Sequence, residues 1–182
     1  LVHEEFHSRD FTARGGLMEM AQLWVNLPAR DKLAPPRYQT VLDRDIPVVA
    51  LPGESGQLRV IAGDFAGHAG PAQTFTPLNV WDLRLKAGRT ASLDVPEGHN
   101  AVLVALNDTV RVNGTDDVPA SRYVVFGQTG GISVEAQAED VKCLVLTGVP
   151  LDEPIAGYGP FVMNTEDEIR QAFADYQQGR FG

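Results

Sequence analysis

The sequence holds a single cysteine, Cys143, so no disulfide can form within the chain. A lone thiol fits a reducing compartment, and the expected location is cytoplasmic. Apolar runs are short, and none approaches the roughly 20 residues that a membrane-spanning helix needs. No signal peptide with its charged, apolar and small-residue regions is visible. Positive charge is scarce: 15 Lys and Arg stand against 24 Asp and Glu, a formal net charge of −9. The imbalance is uneven, with residues 1–60 carrying 7 basic and 8 acidic side chains and residues 61–182 carrying 8 and 16. An acidic surface repels phosphate backbones and no basic cluster is present, so direct binding of nucleic acid or of a membrane is not expected. Several catalytic signatures are missing as well: the P-loop, G-x-G-x-x-G, G-x-S-x-G and H-E-x-x-H. The nearest serine pattern, Gly53-Glu54-Ser55-Gly56, lacks the elbow spacing.

Hydrophobic residues make up 43% of the chain and charged residues 21%, which is the balance of a folded protein. Its 18 Gly and 12 Pro point to many turns between short strands. From Gln57 onward the texture is uniform. QLRVIAG, FTPLNVWDLRLKAG, ASLDV, AVLVALND, TVRVNG, SRYVVFG, ISVEAQ and VKCLVLTG all read as strands bounded by turn residues. Trp81, Leu83 and Leu85 alternate with Asp82, Arg84 and Lys86, the period of a half-buried strand. Asn113-Gly114 marks a hairpin turn. The expected class is all-β, a sandwich or barrel, with the double-sheet jelly roll a strong candidate. Upstream, Leu17 to Leu27 (LMEMAQLWVNL) and Ile46 to Leu51 also read as strands, the first buried between layers because its apolar residues fall on both faces. Near the end the period changes. Thr165 and Glu168 form a capping box ahead of Ile169, Phe173 and Tyr176, and Gly179 follows as a stop. One C-terminal helix is expected there, with a boundary near residue 52 separating a partial unit (1–52) from a complete β unit with its helix (53–182).

Few residues carry recognisable chemistry. In an extended chain His3, Glu5 and His7 share one face. Imidazole and carboxylate suit Fe, Ni, Mn or Zn, but two or three donors are not a closed site, and a polar strand face at a chain end is the alternative. His68 and His99 sit among turn residues and read as exposed or locally bonded loop histidines. Cys143 lies in the apolar run KCLVL and reads as core. Met18, Met20, Gln22, Trp24 and Asn26 share a face; the Met and Trp suit a core, whereas two amides among them suit a pocket lining. Asp116-Asp117 reads as a solvated tip.

Three segments carry a family resemblance. QLWVNLPARDKLAPPRYQ (Gln22 to Gln39) resembles the signature that follows the first cupin of the pirin family. EPIAGYGPFVMNTEDEI (Glu153 to Ile169) resembles the end of the second cupin and the start of its terminal helix. LVHEEFHS (Leu1 to Ser8) resembles the late metal-ligand segment of that first cupin. The resemblance covers essentially the whole chain. It implies a bicupin in which one metal is held by three histidines and a glutamate, and it maps the late pair onto His3 and Glu5. The early histidines have no counterpart here, so most of the first cupin is expected to be missing, the chain beginning at a cut or processed end. The second cupin is expected to be metal-free, because Leu93-Asp94-Val95-Pro96-Glu97-Gly98-His99 lacks the paired histidines.

The resemblance further implies a quercetin 2,3-dioxygenase-type oxygenase in the intact bicupin, acting on a small aromatic substrate such as a flavonol. Glu5 would be the catalytic residue and, with His3, a metal ligand. His7 would orient a ligand by hydrogen bonding, and Met20, Gln22 and Trp24 would line the pocket. The cofactor implied is one divalent metal, iron first, with Ni, Mn, Cu, Zn or Co as alternatives, and absent if this fragment stands alone. The other implied class is a metal-sensing regulatory module working through protein partners. A partial jelly roll exposes strand edges and apolar surface, so the chain is expected to self-associate through residues 1–30 or to pair with another polypeptide. Light scattering checks this: a monodisperse monomer with no second polypeptide present would count against it.

Overall fold

A computed structural model of the chain describes residues 3–180. In chain order the elements are α1 (Arg9–Arg14), β1 (Val48–Ala50), β2 (Gly56–Ala62), β3 (Asp64–Phe65), β4 (His68–Ala69), β5 (Leu78–Leu85), β6 (Thr90–Leu93), β7 (Asn100–Ala105) and β8 (Val110–Val112). There follow β9 (Asp116–Val118), β10 (Arg122–Phe126), β11 (Ile132–Ala136), β12 (Val141–Gly148), β13 (Ala156–Tyr158), β14 (Phe161–Met163) and α2 (Glu166–Gln177). The class is that expected: an all-β jelly roll with one C-terminal helix. Among the described residues no helix is long and apolar enough to cross a membrane.

Two compact units are present. The first runs from Tyr38 to Pro150, and the second joins the segment up to Arg37 with the segment from Leu151. These cuts differ from the 52/53 boundary read in the sequence, since β1 pairs with β2 and so sits inside the larger unit.

The larger unit has a six-stranded sheet, β1-β2-β5-β12-β7-β10, and a four-stranded sheet, β6-β11-β8-β9. Alternation decides which side chains enter the core. Leu58, Val60, Trp81, Leu83, Leu85, Leu103, Cys143 and Val145 from the first sheet join Leu93, Val110, Val112, Ile132 and Val134 from the second in one buried cluster. Between β8 and β9, Asn113 (φ 50°) and Gly114 (φ 72°) both take the left-handed backbone that a primed hairpin turn requires. Asp116 and Asp117 are solvated, as read, and they also open β9. There Asp117 accepts both arms of the Arg111 fork, at 2.8 and 3.1 Å. The guanidinium holds the Asp117 carboxyl below the ordinary aspartate range.

In the smaller unit the capping box is as read: Glu168 N donates to Thr165 Oγ1 at 3.2 Å, and Thr165 N donates to Glu168 Oε2 at 2.8 Å. The helix buries Ile169 and Ala172 against Phe161 of the β13–β14 hairpin. Phe161 and Phe173 meet edge to face at 4.8 Å.

The predicted strand Leu17 to Leu27 does not form. No described strand pairs with it, and an extended segment without a ladder partner keeps neither its hydrogen bonds nor its cover. Its apolar residues are consequently exposed, Leu17 at 94% and Trp24 at 68%. Residues 3–8 likewise form no strand; Leu1 and Val2 lie outside the described residues. The six-residue α1, capped by the Ser8 side chain accepting from Phe11 N at 3.1 Å, has no signal in the apolar pattern because it buries nothing.

Leu103 is fully buried at the middle of the sheet, paired with Val124 and Val145. Leu103→Ala is expected to destabilise the protein by about 2–5 kcal/mol, read as a lowered urea midpoint with an unchanged slope.

Candidate functional site

The site is built within the smaller unit, from a chain segment that has no regular structure. His3 and Glu5 are two residues apart in extended chain, so their side chains meet: His3 Nε2 lies 3.4 Å from Glu5 Oε1. Both are 57% exposed. Gln22 Nε2 donates to Glu5 Oε1 at 3.1 Å, which fixes the carboxylate from a second segment. These three residues line a cleft of about 540 Å³ together with Leu23 to Leu27, Lys32 and Pro160 to Met163. Its walls are mostly apolar, with few polar groups converging, as ligand clefts commonly are.

Two contacts bring the distant segments together. Glu153 Oε2 accepts from Ala29 N at 2.7 Å and from Asn164 Nδ2 at 3.0 Å. The Ala29 bond satisfies the amide that opens the short 3₁₀ turn Ala29–Asp31 after Pro28. Lys32 Nζ donates to Asn26 Oδ1 at 2.6 Å and to the Val162 carbonyl at 3.2 Å.

Of the residues singled out in the sequence, His3, Glu5, Gln22 and Trp24 line this cleft. His7 and Met20 do not. The His7 ring stacks on Phe11 at 5.7 Å, and its Nε2 lies 2.9 Å from Met18 Sδ. Met20 is exposed. Lys32, Glu153, Phe161 and Met163 were missed. Each lies inside a segment quoted above for its resemblance, but no local spacing joins residues more than 100 positions apart.

The histidines of the larger unit divide. His68 is exposed and bonds locally, Nδ1 to the Ala66 carbonyl at 3.1 Å. His99 is buried, which corrects the loop reading. The pairing of Asn100 with Gly148 carries it next to Thr147, whose Oγ1 lies 3.2 Å from His99 Nδ1. Thr147 Oγ1 also accepts from Asn79 Nδ2 at 2.7 Å, and Asn79 Oδ1 accepts from Asp64 N at 3.0 Å. Gly63 adjoins this chain of bonds, and a β-carbon there would fall 2.0 Å from Asn79 Oδ1. The chain is a buried, satisfied network rather than a ligand set. Among the described residues no group of three or more His, Cys, Asp or Glu side chains could hold a metal ion.

Comparisons with known proteins point one way. The family model for the pirin C-terminal cupin domain matches residues 80–182, more than half of the chain. A Pseudomonas aeruginosa protein provisionally named as a quercetin 2,3-dioxygenase is 52% identical over 182 residues, covering all of this chain and 63% of that protein. A pirin-like protein of Solanum lycopersicum is 36% identical over 185 residues, covering all of this chain and 61% of that protein. Among solved structures, quercetin 2,3-dioxygenase from Acinetobacter baumannii superposes with a TM-score of 0.92 at 49% identity, over 97% of this chain and 62% of that one. The chain thus spans a little over three fifths of the length of these relatives.

Burial pushes the Cys143 thiol up to about 12. The sign is that of an inert core thiol: at pH 8 only about one in ten thousand is thiolate. Ellman's reagent is expected to leave the native protein unmodified at pH 8 and to react with one thiol per chain once guanidinium unfolds it. Rapid native labelling would show that Cys143 is reachable.

Proposed function

The chain belongs to the pirin family, and from that premise we propose that it is the larger part of a metal-dependent oxygenase of the quercetin 2,3-dioxygenase type. In this reading residues 1–52 are the remnant of a first, metal-binding cupin plus the linker that follows it, and residues 53–182 a second, metal-free cupin with its terminal helix. The observation that carries it is the His3–Glu5 pair, 3.4 Å apart and lining a cleft of about 540 Å³. Names given to relatives of similar sequence support the same reaction class.

The residues present fit half of a metal centre. One imidazole and one carboxylate are donors that iron, nickel or manganese accept, but a four-ligand site needs two more. Those come from sequence beyond these 182 residues in a protein of the relatives' length. When bound, the metal supplies a Lewis acid that polarises ligand oxygens. His3 contributes a neutral nitrogen. Glu5 contributes an oxygen and takes the proton of the flavonol hydroxyl as general base. Gln22, donating to Glu5 Oε1, aims the carboxylate and leaves Oε2 free for that proton. The indole of Trp24 offers a flat apolar wall for the rings. His7 steadies the ligand-bearing stretch through Phe11 and Met18.

One observation favours a second reading. The excess of acid lies in residues 61–182, and such a surface suits a basic protein partner, as a regulatory module would use.

Quercetin loss and metal content by plasma mass spectrometry test the proposal together. The 182-residue chain is expected to show no loss above a free-metal control. A chain extended to the relatives' length and loaded with iron is expected to consume quercetin, and Glu5→Gln in that protein to lower kcat/KM by about 10²–10⁴-fold. A metal-replete extended protein that leaves quercetin intact would overturn the oxygenase reading and leave the regulatory one standing.

A further inference from the structure

Lys32 is an ammonium lining a largely apolar cleft. Its Nζ has two partners, Asn26 Oδ1 at 2.6 Å and the Val162 carbonyl at 3.2 Å, and both are neutral. Among the described residues it forms no ion pair. Arg111, by contrast, answers a carboxylate directly. Glu5, the anion of the same cleft, is engaged by Gln22 and His3 instead. An ammonium carries three donors, so two protein acceptors leave one for solvent or a ligand. Both protein partners of this half-buried cation are neutral, so an anion entering the cleft would be the first opposite charge it pairs with directly. The setting sharpens the point: a chain of net charge −9 repels anions unless a local cation receives them.

We propose that Lys32 recognises the ionised end, phenolate or carboxylate, of a planar aromatic ligand whose rings lie against Trp24 and Phe161. This deepens the reading of the cleft as a substrate site and rests on it. The cation stabilises the ligand's anionic form, so a bound hydroxyl ionises more easily than a free one. That effect belongs to Lys32 and is separate from any proton taken by Glu5. A residue that only tied Asn26 to Val162 would leave the ligand's ionisation unchanged.

The test uses the 182-residue chain and three probes: 3-hydroxyflavone, its 3-methoxy ether, which cannot ionise, and flavone-3-carboxylate. Titration followed by absorbance gives each Kd and the apparent pKa of bound 3-hydroxyflavone. The wild-type chain is expected to lower that pKa by about one unit and to bind the carboxylate about tenfold more tightly than the ether. Lys32→Met is expected to erase both effects while the ether binds as before, and Lys32→Arg to keep most of each. A shift for the phenol alone assigns the phenolate as the anion, and a preference for the acid alone assigns the carboxylate. If all three probes bind the wild type alike, with no shift of pKa, the role of Lys32 is overturned and the cleft reading survives. If none binds, both fall. Should Lys32→Met fail to fold by circular dichroism, the wild-type pKa shift decides by itself.

Discussion

The ladder between β5 and β12 is the frame on which the larger unit depends. Eight residue pairs join these strands, from Val141 with Leu85 to Gly148 with Leu78. β2 is added on one side and β7 on the other. With period two, one register sends Trp81, Leu83, Leu85, Cys143 and Val145 inward together. A slip by one residue would turn all of them to the opposite face and bring Asp82 into the core. In the observed register Asp82 lies on the other face of the sheet, where Arg59 and Arg84 both donate to its carboxylate, at 2.7 and 2.9 Å. The same ladder ends beside a buried polar chain, Asn79, Thr147 and His99, where Asn79 reaches Thr147 because the two are paired in register.

Much of this frame is legible in the amino-acid order. Turn residues bounding short apolar runs located the eight segments from QLRVIAG to VKCLVLTG, and alternation marked the faces of Trp81 to Leu85. The capping box located α2, because a helix start needs side-chain acceptors at a fixed offset. What escaped reading depends on partners far away in sequence. His99 sits among turn residues, and only the pairing of Asn100 with Gly148 shows that it is interior. β9 opens with two aspartates, which local propensity assigns to a loop, and the fork from Arg111 across the hairpin makes them a strand. Leu17 to Leu27 failed in the opposite direction. Its apolar residues are those of a buried strand, but β-structure is a property of a pair, and no described strand pairs with it.

The candidate site was legible in part for the same reason. His3 and Glu5 could be placed on one face from spacing alone; Gln22 and Trp24 line the same cleft, but so do Leu23 and Val25 of the other parity, so alternation did not select them. The opposite wall could not be foreseen. Phe161 and Met163 come from the far end of the chain, and the Lys32–Val162 and Ala29–Glu153 bonds that hold that wall leave no local trace. The chemistry of the cleft is thus shared between two stretches that neither periodicity nor spacing connects. A fold-level likeness gives the scaffold, while the cleft's selectivity rests on a handful of side chains set into it.

The smaller unit is discontinuous, and this has a consequence in time. During synthesis the stretch carrying Trp24 and Val25 leaves the ribosome before the whole of residues 38–150, and only then does the hairpin with Phe161 emerge. At roughly 5–20 residues per second the wait is on the order of ten seconds. The larger unit, whose core is contiguous in the chain, has time to close during that interval. Within these 182 residues the stretch carrying Trp24 and Val25 cannot meet Phe161 and Met163 across the cleft until that interval has passed.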